Sequence, residues 1–425
     1  MQNILDEFLQ NSFDIRKDII DETNKIEDEL NPIFLQIDKI KEYNSLKVLD
    51  AMRKSRLSDT HFSWNTGYGY NDAGREKTEE IFTNIFKSED SIVRPTIVNG
   101  THALTLCLQG ILKSGFELIS ISSKPYDTLD QVIGISDSYH SLKGQGVIYK
   151  QIDLLENGDF DYPQIEEAIK SSKLKKMVYI QRSKGYSRRK SIMIDDIEKV
   201  VKFVKSIDPE AIVMVDNCYG EFIETREPIE AGADVIAGSL IKNPGGGLAI
   251  AGGYICGRRD LIDIIAQRMT SPGIGKECGL TFGTTRTLLQ GLFLAPMIVS
   301  NAKKGAVFCA KLFEHYGYDT FPLFSDERSD IIQSVGLKSK EEIVNFCKGI
   351  QKAAPVDSFV TPEPWAMPGY DSEVIMAAGA FIQGSSIELS ADAPIKEPYT
   401  VYFQGGLTYE HSKIGAQMAL NEILK

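Results

Sequence analysis

Val235-Ile-Ala-Gly-Ser-Leu-Ile-Lys-Asn-Pro-Gly-Gly-Gly247 is an apolar run that ends in Lys242 and breaks at once into proline and glycine. Such a run, closed by loop-forming residues, reads as a buried strand with an amine just beyond its end. Upstream, Ala211-Ile-Val-Met-Val-Asp216 repeats the pattern and ends in a carboxylate 26 residues before Lys242. That interval holds one strand, one crossover and the next strand. An amine there can form a Schiff base with an aldehyde cofactor, and a carboxylate beside it can hold a pyridinium nitrogen. The pairing points to pyridoxal phosphate (PLP).

Outward from this pair, short β-rich runs at 116–122, 147–154, 177–181, 211–215, 235–241 and 249–256 alternate with helical patterns such as 162–171 and 195–206. Alternation of this kind implies an α/β domain with a largely parallel sheet, binding ligands beyond the carboxyl ends of its strands. After a helical stretch from about Thr284 to Tyr316, strand-like segments (374–381, 386–389 and 399–403) predict a smaller C-terminal α+β domain. The first 60 residues read as a charged, amphipathic helical arm from about Ile4 to Arg56, restarted at Asn31-Pro32 by a cap and a first-turn proline. The expected division is residues 1–60, 61–300 and 301–425.

Composition leaves room for such an enzyme and narrows its ligands. At 425 residues and 42% hydrophobic content, the chain fills more than one domain core. A net charge of −12 argues against nucleic acid or an anionic membrane as partner and favours a small molecule. The six cysteines form no C-x-x-C and the five histidines no H-x-x-x-H, so neither a disulfide frame nor a metal site is expected. The N-terminus lacks an apolar signal core, and no later stretch reads as the ~20 apolar residues of a membrane span, so a cytoplasmic enzyme is expected.

PLP also needs a phosphate site and a flat partner for its ring. Asn99-Gly100-Thr101-His102-Ala103 opens an apolar helical pattern, where backbone N–H groups and a hydroxyl can hold phosphate. Ser239 can add a second hydroxyl. Tyr126, in the loop after the run ending at Ser122, offers a ring to stack. Each has a plainer alternative: Asp216 as a helix cap, Tyr126 as loop packing, His102 as a satisfied core histidine, Lys242 as a solvated lysine. Ser239-x-x-Lys242 also matches the serine-lysine pair of penicillin-recognising enzymes, but that pair starts a helix and needs S-D-N and K-T-G partners, which are absent. The Gly245–Gly247 run lacks both the G-x-G-x-x-G spacing of dinucleotide folds and a following G-K-S/T.

Taken together, these segments resemble the fold-type I PLP enzymes of the cysteine/methionine branch. Gly67-Tyr-Gly-Tyr-Asn-Asp-Ala-Gly-Arg75, Asn99-Gly-Thr-His-Ala103, Val215-Asp-Asn-Cys-Tyr-Gly-Glu221, Ser239 to Gly247, Gln290-Gly-Leu-Phe-Leu-Ala-Pro296 and Gln404-Gly-Gly-Leu-Thr-Tyr-Glu-His411 resemble in wording the aluminium-resistance family, often labelled methionine gamma-lyase-like. The resemblance implies a PLP-transferase-like fold with a mostly parallel seven-stranded sheet flanked by helices. It also implies a homodimer or homotetramer with the site at a subunit interface, where Tyr68 or Tyr70, with Arg75, reaches the neighbour's cofactor phosphate. Lyases of this branch usually hold the substrate carboxylate with an arginine near a serine-leucine-glycine segment, yet Gln383-Gly-Ser-Ser-Ile-Glu-Leu-Ser390 has none. Arg182, Arg286 and Arg328 are the rival binders.

The expected reaction is thiol elimination from a sulfur amino acid. It would run through a Lys242 aldimine, removal of the Cα proton by a lysine whose basicity nearby cations lower, and a quinonoid stabilised by Asp216. An aminotransferase, or a PLP-binding stress-tolerance protein with little turnover, are the alternatives.

Overall fold

The alternating apolar runs become one sheet. The computed structural model describes residues 2–366 and 372–425. Its strands β1 (Asp90–Arg94), β2 (Glu117–Ser120), β3 (Ile148–Gln151), β4 (Lys176–Gln181), β5 (Ile212–Asp216), β6 (Val235–Ser239) and β7 (Gly253–Gly257) pair in the order β1-β7-β6-β5-β4-β2-β3. The ladders from β3 through β6 are parallel, and β7 runs antiparallel to both its neighbours. Every residue of β2, β4, β6 and β7 is buried, as in a sheet covered on both faces. Strand β1 has no counterpart among the expected runs. Its apolar centre is only Ile92 and Val93, and pairing with Ile255 and Tyr254 of β7 makes it a strand.

Two compact units divide the chain, one of Tyr43–Gly185 with Arg189–Ala295, the other of Met1–Glu42, Tyr186–Arg188 and Pro296–Lys425. In the first, helix α4 (Gly100–Ile111) buries Leu104, Cys107, Leu108 and Ile111 against Met177, Met214, Val235 and Ile255. The stripe follows the helical repeat of the sequence. On the opposite face, Tyr254 of β7 stacks on Phe86 at 5.2 Å between ring centroids.

The second unit holds a five-stranded antiparallel sheet, β8 (Asp319–Phe321), β9 (Ile332–Gly336), β10 (Val374–Ala378), β11 (Ser390–Pro394) and β12 (Thr400–Gln404), in the order β10-β11-β12-β9-β8. The strand expected at 386–389 begins instead at Ser390. Glu388 there turns inward and accepts the N–H groups of Phe381 and Ile382, a loop role that competes with pairing.

The N-terminal arm also differs from expectation. Helix α1 (Gln2–Phe13) ends at Asp14, whose φ of 53° is left-handed, and α2 (Lys17–Lys54) runs unbroken through Pro32. Asn421 bonds the Asp14 carbonyl and the Arg16 N–H, holding the break there. The arm does not stand apart: Leu9, Ile19, Leu30 and Ile37 bury in one core with Phe308, Phe313, Phe346 and Phe403. The helix Thr285–His315 is long and apolar enough to cross a membrane, a feature that sequence reading passed over. Its most apolar window is 67% buried inside the protein, as befits a core helix.

Candidate active site

Asp216 and Lys242 leave the same edge of the sheet. Asp216 is the last residue of β5, in register with Ala237 of β6, and Lys242 follows the end of β6 by three residues. Asp216 is buried; its Oδ1 accepts the Cys218 N–H at 3.1 Å and its Oδ2 the Tyr179 hydroxyl at 3.2 Å. Burial pushes its carboxyl above the usual range, against the opposing pull of the Cys218 hydrogen bonds, Lys242 and Tyr179. For Lys242, burial lowers the ammonium's proton affinity, but Tyr219, Cys218 and Asp216 outweigh it and hold the lysine above its ordinary value. The expected lowering by neighbouring cations is thus corrected, because the groups around Nζ are acids.

Next to this pair stands the start of α4. Asn99 caps it, accepting the His102 N–H at 2.8 Å, while the first-turn N–H groups have no acceptor within a helix. A Cβ on Gly100 would lie 3.3 Å from both Cys218 Sγ and Ser239 Cβ, so the helix start rests directly on the ends of β5 and β6. Ser239 is buried there. Thr101 Oγ1 shares a 2.8 Å hydrogen bond with Thr128 Oγ1, which draws in the Tyr126 loop. The Tyr126 N–H donates to Gln181 Oε1 at 2.7 Å, and Gln181 pairs with Asp216 across β4 and β5. Gly100, Thr101, Tyr126, Asp216, Ser239 and Lys242 therefore form one cluster. His102 turns back instead: its Nδ1 accepts the Val98 N–H at 3.1 Å, and burial pushes its pKa down.

Arg75 lies within its own subunit's fold. It is buried and donates to the carbonyls of Gly69, Gly279 and Glu277 at 2.6, 3.0 and 3.1 Å. Its guanidinium clamps two loops together within the protein. The loop it holds leaves Tyr68 and Tyr70 exposed, at 75% and 56%.

The three arginines fall apart as well. Arg182 is fully buried and donates to Asn217 Oδ1, the Gly220 carbonyl and Glu224 Oε1 at 2.9, 2.7 and 2.7 Å, so its guanidinium is engaged within the protein. Arg328 lies in the other unit, buried, where burial lowers its pKa to about 10. Arg286 is exposed, its guanidinium 4.3 Å over the Phe62 ring.

Sequence reading missed Tyr219. Its backbone is left-handed (φ 66°), unusual for a bulky residue, and it carries its ring beneath Lys242 Nζ. The Asn243 amide fixes it by donating to the carbonyls of Tyr219 and Glu221 at 3.0 and 2.9 Å. The available signal was the aromatic three residues after Asp216. Glycines 245 and 246 also gain a reason: a Cβ on Gly245 would meet the Leu240 carbonyl at 1.9 Å, and one on Gly246 the Gly291 carbonyl at 2.2 Å. They let the lysine loop fold tightly on itself and on the helix Thr285–His315. Among the described residues no group of three or more His, Cys, Asp or Glu side chains is placed to hold a metal ion.

Residues 19–424 match the methionine gamma-lyase family. The chain belongs to that family. Among relatives of the methionine gamma-lyase family, uncharacterized protein YnbB of Bacillus subtilis is 47% identical over 403 residues, covering 94% of this chain and 95% of its own. A carbon-sulfur lyase involved in aluminum resistance from Clostridium novyi is 48% identical, with a TM-score of 0.94 over 98% of both chains. The fold alone extends further, to the pyridoxal-5′-phosphate-dependent protein YhfS of Escherichia coli, with a TM-score of 0.61 at 14% identity over 91% of this chain and 97% of that one. The architecture is that of fold-type I enzymes.

Proposed function

We propose that this protein is a PLP-dependent carbon-sulfur lyase that eliminates a thiol from a small sulfur amino acid. One observation carries the reading: a buried acid and an amine leave adjacent strands at the same sheet edge, with a helix N-terminus packed against both strand ends. The residues fit the cofactor. Asp216, whose carboxyl burial pushes up, is the acid a cationic ring nitrogen would keep ionised. The N-terminus of α4, Thr101 and Ser239 supply phosphate donors, and Tyr126 the stacking ring.

When bound, PLP supplies an aldehyde for the substrate amine and a ring that takes up the electron pair left at Cα. Lys242 is the residue that would hold the cofactor's aldehyde carbon, and its Nζ would accept the Cα proton of the substrate. Beside a cationic ring nitrogen the Asp216 carboxylate would keep that nitrogen protonated, an interaction on the order of 4 kcal/mol for two unit charges in contact at an effective dielectric of ~20. Tyr179 and the Cys218 N–H hold the carboxylate in place. Of the three candidate arginines Arg286 is the exposed one and lies in the same unit, so it is the candidate for the substrate carboxylate.

The exposed Tyr68 and Tyr70 support a homodimer or homotetramer in which they complete the phosphate site of a second copy. A cytoplasmic location accords with a family of this chemistry.

The test is the absorption spectrum before and after borohydride, with mass mapping of the modified peptide, and keto acid and thiol release from cysteine, cystathionine and methionine. A label on Lys242 with both products supports the reading. A label on another lysine overturns the site; dependence on an added keto acid, with recovery of pyridoxamine phosphate, would make the protein an aminotransferase. A label without turnover of any substrate would leave a binding protein.

A further inference from the structure

Behind the candidate site lies a buried pair that the proposed chemistry does not use. Glu221 is fully buried, its Oε1 accepting the Tyr254 hydroxyl at 2.6 Å and its Oε2 without a hydrogen-bond partner. The pair lies flat on β6. A Cβ on Gly238 would come within 2.7 Å of both Glu221 Oε1 and Tyr254 Cε1, so only glycine between Ala237 and Ser239 admits it. An acid kept in such a place at the cost of a packed strand position asks for a reason.

The segment from Asn217 to Phe222 supplies one, because it is tied next to each chemical residue. At one end the Asn217 N–H donates to the Ala237 carbonyl at 3.0 Å, and its side chain accepts from Arg182 and donates to Glu227 and the Tyr254 hydroxyl. At the other, Asn243 donates to the carbonyls of Tyr219 and Glu221. Asn217 adjoins Asp216, and Asn243 adjoins Lys242. Two residues of the segment, Tyr219 and Phe222, are left-handed, at φ 66° and 63°. Backbone of that kind persists only where the surroundings hold it.

We propose that Glu221 is a positioning residue: clasped by Tyr254 over Gly238, it locks the Asn217–Phe222 segment and so sets the placement of Asp216, Tyr219 and Lys242 around one ring. This deepens, and rests on, the PLP reading. Burial, with Glu227 adding and the Tyr254 hydrogen bond and Arg182 opposing, raises the Glu221 carboxyl to about 8. The clasp is therefore protonated at neutral pH. Ionisation would put an unpaired carboxylate near Glu227, whose own charge is already met by Arg182 and Lys47.

Glu221→Gln, which keeps the acceptor and cannot ionise, is compared with Glu221→Ala and Tyr254→Phe. Two quantities are read. The first is the rate at which an acylating reagent modifies Lys242 in cofactor-free protein, mapped by mass. The second is the pH midpoint of absorbance of the PLP-loaded protein. Glu221→Gln is expected within about twofold of the wild type, and both other variants to change the labelling rate about tenfold and move the midpoint by about one pH unit. Wild-type values in both variants would overturn the proposal. If Glu221→Ala does not fold, Tyr254→Phe decides alone. Should the wild type take up no PLP, the cofactor reading fails by itself, and Lys242 labelling still decides the positioning role.

Discussion

Lys242 Nζ stands 3.4 Å from the centroid of the Tyr219 ring. An ammonium over an aromatic face, partly shielded from water, gains up to ~2 kcal/mol, which offsets part of the desolvation that burial imposes. Tyr219→Leu is therefore expected to lower the pKa of Lys242 by about 1.5 units. The pH dependence of Lys242 acylation in cofactor-free protein measures it. An unchanged midpoint would remove Tyr219 from the site.

Asp216→Asn keeps shape and loses charge. The variant is expected to bind PLP and to lose turnover about a thousandfold, the rate equivalent of ~4 kcal/mol at the ring nitrogen. Keto acid release at matched cofactor occupancy is the measurement; activity within tenfold of the wild type would deny Asp216 its role.

The titration of Glu221 has a sign that can be checked. Its folded value of about 8 lies above the ordinary 4.5, so between those limits the folded state holds a proton that the unfolded chain has released. Stability from this group is accordingly present below pH 4.5 and lost as pH rises to about 8. Glu221→Gln removes the loss, and its advantage over the wild type in urea unfolding should grow across that window to on the order of 4 kcal/mol. A constant difference from pH 5 to 8 would refute it.

Arg182 separates a structural from a ligand-binding role. Arg182→Met leaves Glu227, whose Oε2 lies 3.7 Å from the guanidinium, with Lys47 as its remaining cation and takes the 2.7 Å partner from Glu224, and should cost about 3 kcal/mol of stability. A carboxylate binder would instead raise KM at unchanged stability.

Gly291 faces the lysine loop at closest approach, where an added Cβ would stand 2.0 Å from the Gly245 carbonyl. Gly291→Ala is expected to destabilise by ~2–3 kcal/mol and to slow borohydride trapping at Lys242, because the loop must move to admit it. Chemical denaturation and peptide mapping report the two effects.

By itself the sequence determined the alternating α/β sheet, the strand ends that carry Asp216 and Lys242, and the helix start at Gly100. Each follows from local periodicity and from residue types at the ends of apolar runs. The tertiary structure alone decided what surrounds those residues. Whether Lys242 meets cations or acids depends on a left-handed turn at Tyr219. Whether Arg182 is open or occupied depends on Gly220 and Glu224, some forty residues away. Arg75 is taken by Gly279 and Glu277, and β1 exists through its pairing with β7. Charge and hydrogen-bond partners are set by sheet register and loop packing between segments distant in the chain, and a single sequence carries no local mark of them.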